Sequence, residues 1–110
     1  MKFRNERAFT DAVIDLAKMN GWRVMHMRGN TARLIQGHAG FPDLVLVRPP
    51  HLIFAELKVG RNVPTPEQQE WLDALTDCEV EPYGMPGPSA GVYAWRPEQW
   101  DAIVKVLGGR

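Results

Sequence analysis

The segment from Asp43 to Lys58 constrains the fold of this chain more than any other. It reads DLVLVR, then Pro49-Pro50-His51, then LIFAELK. Both flanks are apolar and rich in β-branched or aromatic side chains, and each has the length of a strand rather than of a helix. They are predicted to form two antiparallel strands, Asp43–Arg48 and Leu52–Lys58, joined by a short turn. Strands that are apolar at almost every position lie in a sheet covered on both faces. Charge enters only at one tip, where Asp43 opens the first run and Glu56 and Lys58 close the second.

The remainder of the sequence supplies the covering layers. Asn5 to Met19 reads as a helix capped by Asn5, with Phe9, Val13, Leu16 and Ala17 on one stripe and Asn20-Gly21 as its stop. Trp22 to Arg28 alternates as a strand does, and residues 29–42, with three glycines and no period, read as a loop or an irregular strand. Thr65-Pro66 opens a second helix carrying Trp71, Leu72 and Leu75. Residues 81–91 are rich in Pro and Gly and read as loop, and Gly91 to Trp95 as a strand. Pro97 starts a last helix bearing Trp100, Ile103, Val104 and Leu107. The order is α-β-β-β-α-β-α, an α/β (α+β) sandwich with helices flanking a central mixed sheet.

A chain of 110 residues is the size of one domain, with 45% hydrophobic and 24% charged residues, which excludes a disordered composition. No apolar run is long enough for a membrane span, and the N-terminal residues lack the pattern of a secretory signal. Cys78 is the sole cysteine, which excludes an internal disulfide or a cysteine metal cluster and suits a reducing interior, so a cytoplasmic location is expected. Net charge is zero, but unevenly distributed. Residues 1–61 hold ten Lys or Arg against five Asp or Glu, and residues 62–110 hold three against eight. One face can therefore attract phosphates in a neutral molecule.

With the hairpin centred between Pro49 and His51, Asp43 faces Glu56 or Leu57 across the ladder. Glu56 and Lys58, two apart on one strand, share a face. Two carboxylates that close repel unless a proton or a cation lies between them. Hard oxygen ligands with open positions suit Mg²⁺ or Mn²⁺, which also bind phosphates and activate water. Lys58 beside them could orient or deprotonate that water, or donate to a phosphate. Gly40 and Pro42 would give a tight approach with room for a substrate backbone.

GFPDLVLVR from Gly40 to Arg48, AELK from Ala55 to Lys58 and TPEQQEWL from Thr65 to Leu72 together resemble the VRR-NUC family. This is the virus-type replication-repair branch of the PD-(D/E)xK nuclease superfamily. The resemblance runs from Glu6 to Arg96-Pro97, so residues 1–110 are expected to form one VRR-NUC-like nuclease domain. It implies that Asp43 and Glu56 hold the metal with the Leu57 carbonyl, that Lys58 is catalytic, and that Glu6 and Gln68 are accessory. Glu6 falls on the stripe of Phe9, Val13 and Ala17, where a buried carboxylate needs a partner or a metal. Gln68 is equally placed for a capping box with Thr65. Standalone members resemble phage-type enzymes that act as homodimers on branched DNA such as four-way (Holliday) junctions. The sequence departs from the family in the length and Pro/Gly content of residues 77–91.

Arg28, Arg33, Arg48 and Arg61 surround the site in sequence and are candidate phosphate contacts, as is His38, which a solvated loop would also accommodate. His26 shares a strand face with Trp22 and Val24, His51 falls in the hairpin turn, and the tryptophans other than Trp22 read as packing. An idle nucleic-acid-binding or assembly module with the same fold, and a structural phage protein in which these charges merely pair, are the competing readings.

Overall fold

A computed structural model of the protein describes residues 2–27, 36–78 and 90–109. The proposed contacts Arg28 and Arg33, and most of the 77–91 stretch, lie outside these residues. Helix α1 (Glu6–Met19) begins where the Asn5 side chain accepts a hydrogen bond from the Ala8 N–H at 2.8 Å. It ends at Asn20, with Gly21 at φ +82°, a conformation that suits glycine. Strands β1 (Arg23–His26), β2 (Leu44–Arg48) and β3 (His51–Leu57) follow, then α2 (Pro66–Thr76), β4 (Ala90–Trp95), a 3₁₀ turn (Pro97–Gln99) and α3 (Trp100–Gly108). Among the described residues, no helix is long and apolar enough to cross a membrane.

The sheet order is β1-β2-β3-β4, antiparallel for the first three strands and parallel between β3 and β4. A parallel pair needs a crossover, and α2 lies within it. The β2–β3 hairpin turns through Pro49-Pro50 alone, so His51 belongs to β3 and pairs with Arg48 rather than forming the turn. Alternation sends Leu44, Leu46, Ile53, Ala55 and Leu57 to one face, where they pack with Phe9, Val13 and Ala17 of α1 and with Ile103 and Leu107 of α3. Phe54 points the other way. Its ring meets Phe41 edge-on at 6.0 Å, and Phe41 meets Trp71 of α2 at 5.0 Å. The result is three layers, α1 and α3 on one side and α2 on the other.

Several details correct the sequence reading. The first strand is shorter than Trp22–Arg28, and Trp22 is packed, buried, and donates through Nε1 to the Leu107 carbonyl at 2.8 Å. Val104 is exposed, because α3 is a short helix that buries only the Ile103–Leu107 edge. Arg48 is not at the charged tip but at the turn end of β2. Its guanidinium lies 4.6 Å from the centre of the Trp22 ring and donates to the carbonyls of Asn20 (3.0 Å), Leu107 (2.9 Å) and Gly109. That clamp joins the ends of α1 and α3 to the sheet.

Candidate active site

The opposite end of the hairpin assembles the charged residues. One step beyond the Leu44–Ala55 pair, the register brings Asp43 opposite Glu56. The Leu57 N–H donates to Asp43 Oδ2 at 2.9 Å, which orients that carboxylate, and the Met27 N–H donates to the Asp43 carbonyl at 2.7 Å, which holds its backbone against β1. In an extended strand the N–H and C=O of one residue point to the same side, so the Leu57 carbonyl also faces the Asp43 side.

Glu56 is 1% exposed, and among the described residues neither of its carboxylate oxygens has a hydrogen-bond partner. Lys58 Nζ stands 3.9 Å from Glu56 Oε1, at the outer limit of contact for a charged pair. Burial pushes the Glu56 carboxyl up to about 9. The neighbouring Asp43 carboxylate, towards which only a protonated Glu56 could donate, acts in the same direction, as does the charge of Glu6, and the Lys58 ammonium opposes them. With nothing else bound, Glu56 therefore carries a proton at neutral pH.

These groups line an open cleft of about 470 Å³. Its walls are Glu6, Arg7, Thr10 and Asp11 from α1, His26 and Met27 from the end of β1, and Asp43, Glu56, Lys58 and Gln68. The chain entering α1 is fixed by Phe3, whose ring centre lies 5.3 Å from those of Phe9 and Trp100, so the first turn of α1 is held over the cleft. Glu6 is exposed at this rim rather than buried on the apolar stripe, because the stripe becomes buried only from Phe9 onward. Gln68 completes the capping box: Thr65 N–H donates to its Oε1 at 2.9 Å and its own N–H donates to Thr65 Oγ1 at 3.2 Å. It caps α2 and faces the cleft at once.

Gly40 has a different role from the one its position suggested. Its φ is +95°, and a Cβ there would fall 2.6 Å from the Glu67 carbonyl carbon and 2.8 Å from the Gln68 nitrogen. The close approach is to the first turn of α2, not to a substrate, and it presses the segment leading into Asp43 against the helix that carries Gln68. His38 sits beside α2, where its carbonyl and that of Ala39 accept from Trp71 Nε1 at 3.2 and 3.0 Å. Neither it nor Arg61, exposed after β3, lines the cleft. Arg7, Thr10, Asp11 and His26 were not legible as site residues. The first three follow Glu6 at one, four and five positions, so a helical projection from Glu6 would have found Thr10.

The donor set fits a hard divalent cation. A buried carboxylate with two unpartnered oxygens, a second carboxylate opposite it and a backbone carbonyl on the same side are oxygen ligands throughout. Among the described residues no three His, Cys, Asp or Glu side chains cluster as metal ligands.

No protein-family model matches the sequence, and no curated protein matches it. A solved structure described as a VRR_NUC domain protein is similar in fold, with a TM-score of 0.64 over 96% of this chain and 87% of its own, at 19% identity. The chain thus has a VRR-NUC nuclease-like fold.

Proposed function

We propose that residues 1–110 act as one nuclease domain that hydrolyses phosphodiester bonds in DNA and depends on Mg²⁺ or Mn²⁺. The observation that carries this reading is Glu56, a fully buried carboxyl with two unpartnered oxygens, set opposite Asp43 and beside Lys58 in an open cleft. A buried acid without partners is costly to keep unless the site is built for something that binds there. Asp43 and Glu56, with the Leu57 carbonyl, would hold the cation. When bound, such an ion makes water a stronger nucleophile and stabilises charge growing on the phosphate. Lys58 positions the attacking water or donates to the phosphate oxygens, and Glu6 and Gln68, at the rim, accept and donate hydrogen bonds that orient that water.

The preferred substrate in this reading is branched DNA, including four-way junctions, and the working unit is a homodimer. Both rest on the resemblance of the Gly40–Lys58 and Thr65–Leu72 segments to standalone phage-type enzymes. The decisive experiment is cleavage of linear, flapped and four-way DNA in Mg²⁺, Mn²⁺, Ca²⁺ or EDTA. Cleavage is expected with Mg²⁺ or Mn²⁺ and not in EDTA. Cleavage that persists in EDTA would sink the metal-dependent mechanism.

A further inference from the structure

The α1 wall of the cleft presents an electrostatic problem to any polyanion. Glu6 and Asp11 both line it, and each repels a nucleic-acid backbone. A cation held by Asp43 and Glu56 compensates those two carboxylates and leaves the α1 pair uncompensated. Lys58 stands at the Glu56 end of the cleft, where it is assigned to the attacking water or the phosphate being cleaved. Among the described residues the guanidinium that lines the cleft is that of Arg7, between Glu6 and Asp11 in sequence and exposed. Arg7 and Asp11 stand at i,i+4, the spacing at which helical ion pairs form, yet among the described residues no carboxylate lies within ion-pair distance of Arg7. No described residue takes a hydrogen bond from its guanidinium, and such a fork matches two oxygens of one phosphate. Of the two arginines nominated from sequence that lie among the described residues, Arg48 is consumed by backbone carbonyls at the far end of the sheet, and Arg61 does not line the cleft.

We propose that Arg7 is a substrate-positioning residue that grips a backbone phosphate next to the one being cleaved, from the α1 wall. This deepens the nuclease reading and rests on it. A contact to a neighbouring phosphate is made equally before and during reaction, so it acts on binding and not on the chemical step.

The test compares wild type, Arg7→Ala and Arg7→Lys for DNA cleavage in Mg²⁺, for DNA binding over a salt series, and for thermal melting. Arg7→Ala is expected to raise KM about tenfold, as loss of a charge-assisted contact does, with kcat within about twofold and melting unchanged. The slope of log affinity against log salt should fall by about 0.7 to 0.9, the loss of one phosphate contact. Arg7→Lys should restore the slope but only part of the KM, because the fork is gone. A merely structural role would shift melting and leave the salt slope alone. Unchanged KM and slope in an otherwise active enzyme would overturn the proposal and spare the nuclease reading. A fall in kcat with KM unmoved would assign Arg7 to the scissile phosphate and overturn the neighbouring one. A wild type that neither cleaves nor binds DNA would remove the nuclease reading, and Arg7's role with it.

Discussion

A carboxyl that titrates near 9 in the folded chain and near 4.5 when unfolded links stability to pH in a definite direction. Between those values the folded state holds a proton that the unfolded state has released. The stability contributed by protonated Glu56 is therefore complete below about 4.5 and is lost as pH rises towards 9. In EDTA the wild-type melting temperature is expected to fall between pH 5.5 and 8.5, and Glu56→Gln, which cannot ionise, should flatten that dependence. A wild-type curve as flat as the variant's would count against the buried acid. Mg²⁺ competes with the proton, so it should raise the wild-type melting temperature more at pH 8 than at pH 6 and do little for Glu56→Gln. The grouping of Asp43, Glu56 and Lys58 is legible in the sequence because strand pairing is arithmetic: a tight turn and a period of two decide who faces whom. Arg7 and His26 are not legible in that way. Their places depend on how α1 and the end of β1 pack over the sheet, and nothing local encodes that.

Gly40 and Arg48 show what whole elements do for these residues. Gly40→Ala places a methyl group against helix backbone that cannot yield, at a φ of +95°. It should cost about 3 kcal/mol, whereas Gly60→Ala, at φ +60° with nothing within 4 Å, should cost about 1 kcal/mol. Denaturant unfolding of the two variants measures the difference, and equal losses would show that α2 does not press on the Gly40 segment. Arg48→Ala removes three backbone contacts and the stack on Trp22. It should lower stability by about 2 kcal/mol while leaving KM for DNA unchanged at a temperature where the variant is folded. A raised KM there would return Arg48 to the substrate. Element types were readable from periodicity, caps and Gly or Pro punctuation, as the Asn5 cap and the Thr65–Gln68 box bear out. Which element leans on which was not. The glycine at 40 announces only that a side chain is unwelcome, not what would collide with it.

At the scale of the molecule, the three-layer sandwich puts the clamp at one end of the sheet and the cleft at the other. If the working unit is a homodimer, as the junction reading requires, light scattering should report twice the 12.4 kDa chain mass with or without DNA. A monomer in both states would remove the two-site model and leave a simple nuclease. The layers followed from apolar strands that demanded cover on both faces. The parallel pairing of β3 with β4 did not follow, because a strand's direction depends on the path of the crossover and leaves no mark in its own residues. The hairpin carries one more consequence. From Asp43 to Lys58 every position is counted through the Pro49-Pro50 turn. One residue added between Leu52 and Ala55 would send Glu56 and Lys58 to the opposite face, and two would carry them about 7 Å along the strand, away from Asp43. The loop after Lys58 is free to lengthen or shrink without touching that count. Chains descended from this one can exchange most of their side chains and vary their outer loops, but the interval between the two carboxylates has to be inherited intact.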